Sequence, residues 1–265
     1  MKIENLNLNS TKTLIKLTIP IFLELILQVL LGNVDKIMVR NDLLANAITQ
    51  ANSIIDLLTI TISVLTTGSL ILISQYKGAK DSNREKKIYS IAFYFNLLLG
   101  FLLGILMLFC GKTILSLMNV SSEFYNETLV YLYICGGFLF LQSIILTLSS
   151  FLRSNAFVVQ GLIVSISINI VNVGLNALFM FILNIPSIIA VALGTVISRS
   201  IGSIVLLILI IKLTKVKLSI KDALHSSKGE FKKLLKISIF LPIFIILMFG
   251  VIYFTFFLCY CDILA

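Results

Sequence analysis

Charge is scarce in this chain. Of 265 residues, only 12% are Asp, Glu, Lys or Arg, while 58% are hydrophobic and the mean hydropathy is +1.07. That balance excludes an ordinary soluble domain, in which about a quarter of the residues are charged. A strict apolar–polar alternation is missing too, which excludes a membrane β-barrel. Histidine occurs once, at position 225, and the chain has neither a nucleophile elbow nor a phosphate-binding Gly-Lys loop. Enzymatic machinery is therefore absent from the sequence, and any pumping would draw on an ion gradient rather than on nucleotide hydrolysis. Of the four cysteines, Cys110 and Cys135 lie in apolar runs, and Cys259-Tyr-Cys261 lacks metal or redox spacing. Neither a disulfide framework nor a metal site is supported. A cleavable signal peptide is not visible either, because the first apolar run is too long and no small-residue cleavage site follows it.

What is abundant is apolar sequence in long runs. They occupy about 14–39, 51–75, 88–110, 129–152, 156–183, 187–211 and 234–258. Each approaches or exceeds the roughly 20 residues that a bilayer-spanning helix needs. The expected fold class is all-α: a polytopic helical membrane protein with about seven spans.

The net charge of +9 invites a nucleic-acid reading, but its distribution argues for orientation instead. With the N-terminus inside, the cytoplasmic segments collect all but four of the 21 Lys and Arg residues. The four exceptions are Lys36, Arg40, Lys112 and Arg199. This bias matches the positive-inside rule and opposes a seven-helix receptor with its N-terminus outside. The expected location is the plasma (inner) membrane, multi-pass, with lipid and small organic molecules as partners and no nucleic acid. The oligomeric state is left open.

The longest polar segment, 212–233, divides the chain into six spans plus one. The stretches 14–20 (LIKLTIP) and 234–240 (LLKISIF) share a Lys, a hydroxyl residue two positions later and an early proline, Pro20 or Pro242. Both copies would cross the membrane in the same direction, as in a parallel repeat. The expected organisation is a cytoplasmic N-terminus (1–13), a six-helix lobe (14–211), a basic inter-lobe loop (212–233) and the first helix of a second lobe (234–265).

The first span holds the residues hardest to explain as structure. Glu24, Gln28, Leu31 and Asp35 fall at helical spacing on one face. An ionisable group in a membrane helix costs a few kcal/mol or more unless it faces protein or water. Asp35 is the leading candidate, since partial burial lets a carboxyl group load and release a proton. The alternative is an interfacial aspartate paired locally with Lys36 or Arg40. Asn172 and Asn176 lie one helical turn apart in the fifth span, with Asn169 near the same face. Membrane amides coordinate cations or substrates, and equally glue helices together. Arg199 is unusual inside a span, with snorkelling or pairing to an acid such as Asp56 as the options. Gly100-Phe-Leu-Leu-Gly104 fits close helix packing.

Taken together, the motifs resemble the MATE (multidrug and toxic compound extrusion) family. They are Pro20, Gln28 and Gly32-Asn33-Val34-Asp35 in the first span, and TTGSLILISQYKGAKD ending the second. SSFLRSNA ends the fourth, and NIVNVGLNALFMF lies in the fifth. The resemblance runs from Leu14 to about Phe249. It implies twelve helices in two six-helix lobes around a cleft, of which this chain would hold the first lobe and one further helix, a truncated form. It also implies an ion-coupling and cleft site of Asp35, Asn172, Asn176 and Thr195, with Glu24 and Gln28 as possible cleft lining. Many relatives carry an aspartate at the position of Asn176, which puts a two-carboxylate mechanism in doubt here. The implied function is a secondary antiporter exporting organic, cationic or amphipathic compounds in exchange for H⁺ or Na⁺, without other cofactors. The alternatives are a lipid-linked oligosaccharide flippase of related architecture, or an inactive membrane remnant.

Overall fold

A computed structural model describes residues 11–214, 216, 218–224 and 229–238, with the side chains of 12–14, 28–32 and 224 excepted. Helices dominate, and no strand occurs among the described residues. In order they are α1 (Thr11–Val39), α2 (Asp42–Gly78), α3 (Ser82–Leu117), α4 (Tyr125–Tyr131), α5 (Leu139–Ser154), α6 (Val158–Ala177), α7 (Ser187–Thr214) and α8 (Ile220–Leu224). A π-helical turn, Leu132–Gly136, follows α4, and a second, Leu178–Ile182, extends α6. The helices α2, α3, α7 and α6 with its π turn are each long and apolar enough to cross a bilayer. The segments Tyr125–Gly136 and Leu139–Ser154, bent by 48°, make one more if taken as one span. The bend falls at Gly136 and Gly137, which are weak helix formers.

Six of the seven expected apolar runs thus coincide with described helices. Only 229–238 of the region around the seventh is described, and it is helical. The polar 212–233 segment is also more structured than a plain loop. It contains the end of α7, the short helix α8 and the start of the helix at 229. Ser219 donates its backbone N–H to Ser90 Oγ (3.1 Å), which pins this segment to α3. Phe231 meets Phe95 edge-on at 5.0 Å, and Leu234 is buried, so an apolar face holds the second piece in place.

Helix starts follow local chemistry. Asn41 caps α2 by accepting from the N–H groups of Leu43 (2.9 Å) and Leu44 (3.3 Å). Asp81 caps α3 by accepting from Arg84 N–H (3.1 Å) and pairs with the Arg84 guanidinium (3.3 Å). Several helices end in left-handed residues that are not glycine: Arg40, Lys80, Asn119, Ala156 and Asn184, with φ between 49° and 58°.

The core has two apolar halves with a polar belt between them. One half gathers Ala47, Ile54, Met107, Leu115 and Leu132, and the other Ile73, Ile88, Leu148, Phe151 and Leu206. In the belt, Asn96 Nδ2 donates to Thr147 Oγ1 (2.9 Å) and Thr66 Oγ1 (3.4 Å), while Ser143 donates to Asn96 O (2.5 Å). Gly100 of α3 sits against the start of α5, and Gly104 against the bend just before it. A Cβ on Gly104 would lie 2.6 Å from Gly137 O, and one on Gly100 would lie 2.8 Å from Phe140 Cα. The GxxxG match is therefore a packing device. At the basic end, Asn155 donates to Tyr89 Oη (2.6 Å) and accepts from Lys77, joining α2, α3 and α5. Facing outward are large apolar side chains such as Phe22, Phe109, Ile170 and Phe181, a surface suited to lipid.

Candidate functional site

Asp35 lies four residues before the end of α1 and is 2% exposed. Its partners come from two other helices. Asn176 of α6 donates to Asp35 Oδ1 (2.8 Å), and Thr195 of α7 donates to Asp35 Oδ2 (3.2 Å). Asn172 and Asn176 are both fully buried and share one face of α6, being four residues apart. The cations next to it in sequence, Lys36 and Arg40, do not engage the carboxylate. Lys36 donates to Asn33 Oδ1 (3.5 Å), and Arg40 is exposed at the helix end.

The Asn172 amide fits the site in two orientations of the same shape. In one, Asn172 Nδ2 donates to Thr195 Oγ1 and Asn172 Oδ1 accepts from Asn176 Nδ2, both at 3.2 Å. In the other, Asn172 Nδ2 donates to Asp35 Oδ1 and Asn172 Oδ1 accepts from the backbone N–H of Thr195, again at 3.2 Å, which leaves the Thr195 hydroxyl to Asp35. The second orientation supplies a further donor to an ionised carboxylate. The first leaves an amide oxygen facing Asp35 Oδ1, which suits a carboxyl group carrying a proton.

Close packing holds this arrangement. A Cβ at Gly194 would overlap the Asn176 amide oxygen, so only glycine leaves room for that side chain beside α7. Asn176 Oδ1 is itself buried without a hydrogen-bond partner among the described residues. Tyr131 of α4 and Cys135 of the π turn are buried and interact electrostatically with Asp35. Neither stood out in the sequence, where Tyr131 looks no different from Tyr133.

The remaining candidates lie elsewhere. Asn169 donates to Ser165 O of its own helix (2.7 Å). Glu24 is buried where α1 meets α6, its Oε2 3.7 Å from where a Cβ on Gly161 would lie. The Gln28 side chain lies outside the described residues, as do His225, Cys259 and Cys261. Arg199 is half-buried, one turn beyond Thr195 on α7. Its charge acts on both Asp35 and Asp56, with no ion pair to either among the described residues.

The MatE family model matches residues 20–178, more than half of the chain, and so takes in Asp35, Asn172 and Asn176. The chain belongs to the MatE family. One relative is an uncharacterised transporter, YisQ, of Bacillus subtilis (strain 168), 29% identical over 236 residues. That match covers 87% of this chain and 52% of the relative. Among solved structures, a MOP superfamily transporter from Pyrococcus furiosus superposes with a TM-score of 0.75 at 18% identity, covering 85% of this chain and 50% of the other. An outward-facing multidrug resistance MATE transporter gives 0.75 at 18% identity, with the same coverage. An inward-facing one gives 0.69 at 16% identity, over 79% of this chain and 48% of the other. The chain spans about half the length of the relatives it matches. Membership in the MatE family and the fold of one MATE lobe are thus established for this chain.

Proposed function

We propose that this chain forms one lobe of a secondary active antiporter that exports organic, cationic or amphipathic compounds in exchange for H⁺ or Na⁺. The observation supporting this most is the burial of Asp35 among neutral hydrogen-bonding groups from α6 and α7. A membrane carboxylate paired with a fixed cation would be structural. One surrounded by Asn and Thr is free to exchange a mobile cation. The available oxygens, from Asp35, Asn172, Asn176 and Thr195, are hard donors suited to a proton or a small hard cation.

In the cycle, ionised Asp35 takes donors from Asn176, Thr195 and the turned Asn172 amide. Loading of Asp35 with a proton supplies an O–H donor, and Asn172 turns its oxygen to receive it. Loading thereby changes how α1 is tied to α6 and α7, the helices that rock together about a central cleft. A second six-helix lobe closes the cleft in this reading. The N-terminus faces the cytoplasm of a plasma membrane, as the distribution of basic residues favours.

Expressed in a host lacking its own efflux pumps, the protein should raise resistance to a cationic dye. Asp35→Asn should return resistance to the level of the empty vector. Equal resistance from variant and parent would remove Asp35 from the mechanism.

A further inference from the structure

Arg199 is a full charge in the middle of a span, and the hydrogen bonds around Asp35 do not use it. The helix α7 runs from Ser187 to Thr214, so Arg199 lies about 18 Å along it, too deep for its side chain to snorkel to a headgroup. Its direction is equally telling. The outward face of α7 carries Ile201, Ile204, Ile208 and Ile211, all exposed. Nine residues at about 100° each place Ile208 on the side of the helix opposite Arg199. Around Arg199 on its own face are Thr195, Gly202, Ser203 and Leu206, all buried. Arg199 sits at the centre of that buried face and is nevertheless only half-buried. Its remaining exposure is therefore to open space on the inner side of α7, not to lipid.

Two carboxyl groups border that space. Thr195, one turn before Arg199, donates to Asp35 Oδ2 (3.2 Å), and Asp56 is exposed on α2. The Arg199 charge acts on both acids, and also on Tyr131 of α4 and Cys135 of the π turn. Yet among the described residues its guanidinium forms neither an ion pair nor a hydrogen bond. A guanidinium placed to neutralise a carboxylate closes on it through two parallel N–H···O bonds. Here five N–H donors have no acceptor among the described residues, at a depth where an arginine must face protein or water. A donor set of that shape, left open on an inner wall, fits an oxyanion brought in from outside the lobe.

We infer that Arg199 is the acid-binding group of the lobe, taking the carboxylate or another oxyanion of an amphipathic organic substrate. Asp56, exposed and of opposite charge, suits the basic end of the same molecule. The favoured ligand is then a zwitterionic amphiphile rather than a plain organic cation. This narrows the substrate class of the antiport reading above, and it rests on that reading for transport but not for binding.

The test compares rhodamine B, which carries a free carboxylate beside its delocalised cation, with its ethyl ester, which keeps the cation and lacks the carboxylate. Binding is read by fluorescence polarisation with the purified full chain in lipid nanodiscs, empty nanodiscs being subtracted. The unsubstituted chain should bind the acid about tenfold more tightly than the ester. Arg199→Gln should bring the two affinities together by weakening the acid alone. Arg199→Lys, which keeps the charge but not the planar fork, should recover part of the difference. The first comparison needs no variant, so it stays decisive even where Arg199→Gln fails to fold. Equal affinities in the unsubstituted chain, binding of neither dye, or a preference for the acid that survives Arg199→Gln would each overturn the inference. Transport is not read here, so failure of the antiport reading would show separately, as absent dye resistance.

Discussion

Asp35 and Asn176 meet across 141 positions of sequence at 2.8 Å, and each changes what the other can do. Removing the donor while keeping the acid should leave a buried carboxyl group short of partners. Asn176→Leu is expected to lower stability by about 1–3 kcal/mol, read as a lower melting temperature in detergent. Thr195→Val removes a single hydroxyl and should cost about 1 kcal/mol, with Thr195→Ser restoring most of it. Combining Asp35→Asn with Asn176→Leu should show a coupling energy of about 0.5–3 kcal/mol, because the two act in one network. Additive effects in that double-mutant cycle would separate them. At this scale the sequence was informative about Asp35, because a charge in an apolar run demands an explanation. It was uninformative about Tyr131, whose burial beside Asp35 is set by the path of α4.

Helices here are held by backbone approach as much as by side-chain volume. Gly104 of α3 faces the carbonyl of Gly137, a group that cannot rotate away. Gly104→Val should therefore destabilise the lobe by about 1–3 kcal/mol through overpacking, seen as earlier thermal aggregation of the detergent-solubilised protein. Gly194 plays the same part beside Asn176, so Gly194→Ala should disturb the Asp35 network without touching a polar atom. The opposite is expected at Ala156, which adopts a left-handed φ of 58° after α5. Ala156→Gly should stabilise by about 1 kcal/mol, measured by the same melting experiment. The sequence marked the GxxxG spacing but not which surface it met. Two-residue identity and spacing specify a small face, while its partner depends on how the bent fourth span turns back onto α3.

As a whole molecule the lobe is a helical body with an apolar exterior and a polar seam inside. Its basic connections cluster at one end, near Lys80, Arg84 and Arg153, and these are the segments expected to face the cytoplasm. In a cysteine-free background, a membrane-impermeant maleimide should label Ser121→Cys in intact cells. Ser82→Cys should react only after permeabilisation. The reverse pattern would invert the orientation. Dye export with D35N as its control belongs to this scale too, since coupling requires the lobe to move as one body.

By itself the sequence determined the class of molecule. Hydropathy and run length dictate helices, because a backbone in lipid must satisfy its own hydrogen bonds. The placing of a few charges within those runs also singled out Asp35. Tertiary structure alone decided which neighbours those charges have. It brought Asn176 and Thr195, rather than Lys36 or Arg40, to Asp35, and it sealed Glu24 against Gly161 with no partner among the described residues. Helical spacing fixes the face on which a residue lies, but only the packing of α1 against α6 and α7 fixes what that face meets.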